Sequence, residues 1–116
     1  MSDLPSAEMT VSGPCLVARV RGDMDYVSQL ELRGRLRQAI DRAERAVVLD
    51  LADVSFCDSA GLNVLLGARR EAERAAVVLA LACVPHKLQR VLEMTGADQF
   101  LRVFATVADA EAALSS

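Results

Sequence analysis

The stretch Phe56-Cys57-Asp58-Ser59-Ala60-Gly61-Leu62 holds the residues best placed for chemistry. An apolar strand, Val47-Val48-Leu49-Asp50-Leu51, leads into it through a short loop, and an amphipathic helix follows. Asp58 stands where it can cap that helix, because its carboxylate can accept the amide hydrogens that a first turn leaves unpaired. Ser59 then takes the first helical position, with its hydroxyl facing outward. A serine at a strand-to-helix turn raises the question of a nucleophile. The elbow G-x-S-x-G, however, needs glycine where Cys57 stands. His86, the only histidine, lies far downstream beside a helix-opening proline, and no acidic residue is placed to orient it. Hydrolysis is not the reading these residues favour, and His86 reads as an exposed residue of a helix first turn. In isolation, a serine in a first turn means no more than capping.

Other chemistries find less. Neither G-x-x-x-x-G-K-[ST] nor G-x-G-x-x-G occurs, so a nucleotide would have to belong to a partner. The three cysteines, Cys15, Cys57 and Cys83, are odd in number, far apart and without a C-x-x-C pair, which argues against a metal site or a redox disulfide and for a reducing compartment. No cofactor or metal is expected. A thiol near a helix N-terminus can have a lowered pKa, but the adjacent Asp58 opposes that shift. Cys57 and Cys83 are therefore expected to be buried and reduced.

A chain of 116 residues makes one domain, here residues 1–116. Hydrophobic residues reach 53% with only 3% aromatic, so Leu, Val and Ala must build the core, which suits helices lying on a sheet. The net charge of -3, with basic residues scattered among acids, argues against nucleic acid as a partner. The start, MSDLPSAEMT, lacks the apolar centre of a signal peptide. The longest apolar run, Ala75 to Val84, falls short of the ~20 residues that span a bilayer. A cytoplasmic protein without membrane contact is expected.

In chain order, Met9-Thr10-Val11 is a weak strand and Ser12-Gly13-Pro14 a reversing turn, which together open the domain with a hairpin. Cys15 to Arg21 alternates, with Leu16, Ala18 and Val20 on one face and Val17, Arg19 and Arg21 on the other. A loop, Arg21-Gly22-Asp23-Met24-Asp25, follows. Ser28 and Glu31 form a capping box, with Val27 stapled onto Leu32, for a helix over Gln29 to Glu44. Its buried stripe is Leu32, Leu36, Ala39, Ile40 and Ala43, and its arginines form a solvated face. Val47 to Leu51 and Ala76 to Ala82 have the continuous apolarity of parallel strands covered on both sides. Between them runs a helix from Ser59 to about Arg74, with Leu62, Leu65 and Leu66 inward and the crossover expected to be right-handed. Gly61 and Gly67 interrupt this helix at up to about 1 kcal/mol each. Close approach of another backbone offsets Gly61, and close packing on the sheet offsets Gly67. Pro85 opens a further helix that Gly96 stops. Leu101 to Phe104 is extended, and Thr106 with Asp109 caps a last helix carrying Val107, Ala110 and Leu114.

The strand, FCDSAGL and the Leu-rich helix together resemble the STAS domain, the family of bacterial anti-sigma factor antagonists that also includes the cytoplasmic tails of sulfate transporters. The Gly22-Asp23-Met24-Asp25 loop resembles the family's Gly-x-apolar-Asp pattern. The Pro85-to-Gly96 run, P-x-x-L-x-x-V-L-x-x-T-G, resembles its later helix, so the likeness covers about residues 9–114. The fold implied is α/β: a mixed sheet with an N-terminal hairpin and parallel central strands, packed by about four helices.

In the family the serine directly after the aspartate is the phosphorylation site, which maps to Ser59. Ala60 stands where the family often has a second hydroxyl, so Ser59 is the only candidate in the motif. The resemblance implies a partner-binding surface of Asp25, Asp58, Ser59, Ala60, Gly61 and Leu62, although a turn or helix-leading role explains Asp25 equally well. It further implies a non-enzymatic anti-sigma factor antagonist, a monomer or weak dimer. Unphosphorylated, such a protein binds an ATP-dependent serine kinase that doubles as an anti-sigma factor, and so frees the sigma factor. Phosphorylation ends the interaction and a serine phosphatase resets it. The alternative within the family is a scaffold subunit of a lipid-transport or stress-sensing complex, whose serine need not be modified.

Overall fold

The computed structural model describes the backbone of residues 7–12 and the whole of residues 15–114. Strands β1 (Ala7–Ser12) and β2 (Cys15–Met24) pair antiparallel, with Ser12 opposite Cys15. Gly13 and Pro14 of the expected turn, and the polar start before Ala7, lie outside the described residues. Helix α1 (Gln29–Arg42), strand β3 (Ala46–Cys57), helix α2 (Ser59–Arg74) and strand β4 (Val78–Ala82) follow. Helix α3 (His86–Thr95), a 3-10 turn at Ala97–Gln99, strand β5 (Arg102–Phe104) and helix α4 (Val107–Leu114) complete the chain. The sheet runs β1-β2-β3-β4-β5, antiparallel at its first pair and parallel thereafter. This is the mixed α/β sheet that the sequence implies.

Strand β3 shows why a continuous apolar run makes a central strand. Val47, Leu49 and Leu51 enter the larger core with Leu32, Leu36 and Ile40 of α1, Leu62 and Leu65 of α2, and Leu88 and Leu92 of α3. Ala46 and Val48, on the opposite face, pack with Cys15, Ala82 and Ala110 of α4. Asp50 continues that second face and is buried. Its Oδ1 accepts from the Ala52 amide at 3.1 Å and its Oδ2 lies 3.6 Å from Arg19, so a carboxylate at a core position is partnered.

Four boundaries differ from the sequence reading. The expected loop at Arg21-Asp25 is mostly strand: β2 continues to Met24, and β3 to Cys57, because these ends pair with each other, Gly22 with Val54 and Met24 with Cys57. Register shifts after Arg19 and Gly22 absorb the irregularity, and Gly22 takes φ 87, a conformation that favours glycine. Helix α1 stops at Arg42, where Ala43 turns extended. Strand β4 starts at Val78, since Ala76 adopts φ 60 and the Val77 amide donates back to the Ala72 carbonyl, finishing α2. Gly67 does not pack on the sheet: a Cβ there would meet nothing within 4 Å.

The cysteines also differ. Cys15 is the buried one, while Cys57 and Cys83 are half-buried, and all three are free thiols. Among the described residues no helix is long and apolar enough to cross a membrane, and no cluster of His, Cys, Asp and Glu could hold a metal ion.

Candidate functional site

The site forms where the extended ends of β2 and β3 meet the starts of α1 and α2. Asp58 is the N-cap of α2, as the sequence suggests. Its backbone is extended, and its Oδ1 accepts from the Ala60 amide at 2.8 Å and the Gly61 amide at 3.1 Å. Asp58 also ties the two halves of the site together. Its amide donates to the Met24 carbonyl at 3.2 Å, and its Oδ2 accepts from the Tyr26 amide at 3.4 Å. A single residue thereby caps one helix and holds the loop that leads into the other.

Ser59 is the first residue of α2 and is exposed. Its hydroxyl makes no hydrogen bond among the described residues, and His86 instead lines a cleft with Phe56, Cys57 and Lys87. Among the described residues no base hydrogen-bonds the Ser59 hydroxyl, and the residue is exposed to solvent. Ala60 is half-buried. Gly61 and Leu62 turn inward, Leu62 with 8% of its surface exposed, so they set the position of the helix start and offer little surface of their own.

Asp25 has a defined structural task. Its Oδ1 accepts from the Ser28 amide at 2.9 Å, while its own amide donates to Ser28 Oγ at 3.0 Å. The Ser28 hydroxyl in turn donates to the Asp23 carbonyl at 2.9 Å. The expected capping box of Ser28 with Glu31 is replaced by this reciprocal pair: Ser28 is buried, sits in helical φ and ψ, and makes no side-chain cap to α1. The expected staple is absent as well, since Val27 is 83% exposed.

Asp25→Ala is therefore expected to lose about 0.5–2 kcal/mol of stability as a lost cap does, and to weaken partner binding through the loosened loop. Asp25→Asn keeps the acceptor and should restore the thermal midpoint. If binding by the Asn variant stays weak at a restored midpoint, the carboxylate itself touches the partner.

The sequence reading missed the apolar rim of this site. Tyr26 is 75% exposed, Val27 83%, Leu30 77% and Phe56 54%. Tyr26 and Val27 lie in the loop that Asp58 holds, Leu30 is one turn later, and Phe56 pairs with Asp23 in the sheet. The available signal was Leu30, which falls outside the stripe of Leu32, Leu36, Ala39 and Ile40. An apolar residue off the buried face at a helix start is a surface feature.

Beneath the rim, burial first and the Asp58 carboxylate second push the Cys57 thiol up to about 11. Set against an ordinary value of 9.0, this lowers the thiolate fraction near neutral pH about a hundredfold. Alkylation of Cys57 in the native protein is expected to be slower by about that factor than in the unfolded chain, and to speed up as the pH rises toward 11. Rapid labelling at neutral pH would instead make Cys57 a reactive thiol.

Comparison with known proteins agrees with this architecture. The STAS domain family matches over residues 6–110. A relative from Bordetella bronchiseptica, BtrV, provisionally named an anti-sigma factor antagonist, is 30% identical over 87% of this chain and 84% of its own length. The structure of an anti-sigma factor antagonist from Mycobacterium paratuberculosis superimposes with a TM-score of 0.85 at 21% identity, covering 100% of this chain and 98% of that one. The Bacillus cell fate determinant SpoIIAA, solved in its phosphorylated form, superimposes with a TM-score of 0.66 at 24% identity, covering 90% and 96%. With the family match spanning all five strands, the first three helices and the start of α4, this chain belongs to the STAS domain family.

Proposed function

We propose that the protein is an anti-sigma factor antagonist: a cytoplasmic, non-enzymatic binding module whose contact with a partner is switched at Ser59. In this reading the unphosphorylated form binds a serine-kinase anti-sigma factor and so frees the sigma factor. The kinase then transfers the γ-phosphoryl group of its ATP to the Ser59 hydroxyl, and the complex parts. A serine phosphatase restores the binding form. Asp25, Asp58, Ser59 and Ala60 belong to the contact surface or shape it, and Gly61 and Leu62 hold the helix start that presents it.

The observation that carries the reading is the setting of Ser59. An exposed hydroxyl with no hydrogen-bond partner among the described residues opens a capped helix, and the loop hydrogen-bonded to that cap bears exposed Tyr26 and Val27. Apolar residues left in water mark a docking surface, and a modifiable hydroxyl beside them lets charge control it. The names of the relatives add to this, as does the phosphorylated form of the Bacillus protein of the same fold. The test begins with the cognate kinase and ATP, followed by mass spectrometry of the product. One phosphate on Ser59, absent from Ser59→Ala, is expected. Phosphate on another residue, or none, would overturn the assignment.

A further inference from the structure

A second feature shares a helix face with Ser59. Helices α1 and α2 leave between them an open groove of about 350 Å³. Its floor is apolar, supplied by Leu36, Ile40 and Val64, and its walls carry Arg33, Arg37, Arg70 and Arg74 against the single carboxylate of Glu71. Glu71 is already divided: one of its oxygens lies 3.4 Å from Arg37 and 3.5 Å from Arg74. Arg33 and Arg70 are exposed and make no ion pair among the described residues. A chain of net charge -3 thus gathers four arginines around one carboxylate in this groove, and among the described residues Arg33 and Arg70 have no ion-pair partner there.

We propose that this groove receives an acidic amphipathic helix of the partner protein, with its carboxylates on the arginines and its apolar face on the floor. Two observations favour that occupant. Gly67 lines the groove, and a Cβ there would meet no atom within 4 Å, so the wall at that position leaves room for a closely approaching helix. The arginines flank an apolar floor and no aromatic side chain lines the groove, a combination that suits a helix with one charged and one apolar face better than the stacked bases of a nucleic acid. The proposal rests on the reading of Ser59 as the switch and adds the chemistry of what is switched. Ser59, Asn63, Gly67, Arg70 and Arg74 recur at helical spacing on one face of α2, so a phosphate on Ser59 would stand at the head of the groove. It would repel the acidic helix and compete for the arginines that hold it.

The test uses the full chain and a fluorescein-labelled, side-chain-stapled peptide with Glu on one face and Leu on the other, beside a copy in which Gln replaces each Glu. The acidic peptide is expected to bind and the Gln copy to bind at least about tenfold more weakly. Arg33→Glu with Arg70→Glu should weaken the acidic peptide about tenfold at an unchanged thermal midpoint, because neither residue gives up an ion pair. Arg90→Glu, on α3 outside the groove, should leave binding as it was. No binding of the acidic peptide, equal binding of the two peptides, equal loss with Arg90→Glu, or equally tight binding of a short oligothymidylate would each overturn the groove. A final arm separates this proposal from the Ser59 reading by incorporating phosphoserine at position 59 during translation. Cognate-kinase binding that is lost on phosphorylation but unaffected by the two groove substitutions would sink the groove alone. Peptide binding that needs Arg33 and Arg70, with kinase binding indifferent to phosphate, would keep the groove and sink the switch.

Discussion

Phosphorylated at Ser59, the protein is expected to lose affinity for its partner by roughly 30-fold to several thousand-fold, while its thermal midpoint moves by no more than a few degrees. The small effect on the fold follows from the position of the hydroxyl. Ser59 is exposed at the first residue of α2, so the phosphate enters water and displaces no core side chain. The roughly -1.5 to -2 charges it brings are attracted by the amide hydrogens of the helix start and repelled by the Asp58 carboxylate one residue away, and the two partly cancel. A docked partner meets a different balance. The same group must then be desolvated against the apolar rim of Tyr26, Val27 and Phe56, where an unpaired charge costs about 2 to 5 kcal/mol. Ser59→Asp carries one charge and fewer acceptor oxygens and should reproduce the loss only in part. Ser59→Ala should bind and resist modification. Calorimetric titration of both forms against the cognate kinase, with thermal melts of the same samples, decides the matter. Equal affinities would remove the switch. A large midpoint change with altered circular dichroism would mean that the phosphate acts through the fold.

Much of this architecture was legible because its strongest signals are local. The bounds of α2 follow from one N-cap, Asp58, and from an uninterrupted inward stripe. β3 and β4 are recognisable as buried strands from unbroken runs of Val, Leu and Ala. What stayed hidden depends on pairing across the chain. Gly22-Asp23 and Asp53 to Ser55 look like loop residues, and only the ladder between β2 and β3 makes them strand. Ser28 with Glu31 fits a capping box, yet Asp25 competes for the Ser28 amide and wins, since its carboxylate is already held in the turn. The exposure of Tyr26 and Val27 escaped notice for a related reason. An apolar residue next to a helix start suggests a staple, and whether a pocket exists to receive it depends on how α1 sits on the sheet. The same holds for the groove arginines, which share a surface only because α1 and α2 lie side by side.

Gly61→Ala should be the most damaging small substitution at the site, lowering stability by about 2–4 kcal/mol and the midpoint by roughly 10 °C. Helix propensity alone argues the other way, because alanine is favoured over glycine in a helix by up to about 1 kcal/mol. The packing around Gly61 decides the sign. A Cβ built there would fall 2.2 Å from the Met24 carbonyl oxygen, 2.8 Å from Met24 Cβ and 2.9 Å from Cys57 Sγ. The thiol could turn away, but the carbonyl is main chain. It accepts the Asp58 amide, and Met24 is fully buried at the paired end of β2. Room for one methyl group can be made only by moving the start of α2 off the strand. That movement strains the Met24–Asp58 bond and, through Asp58, the grip on Tyr26. Partner binding should therefore fall along with the midpoint. Gly34→Ala serves as the control, since a Cβ on that exposed face of α1 meets nothing within 4 Å, and it should raise the midpoint slightly. Cys57→Ala in the Gly61→Ala background removes the softer of the two obstacles and should recover only a small part of the loss. Equal midpoints for Gly61→Ala and the native protein, or full recovery with Cys57→Ala, would show that the backbone contact does not set the position of the helix start.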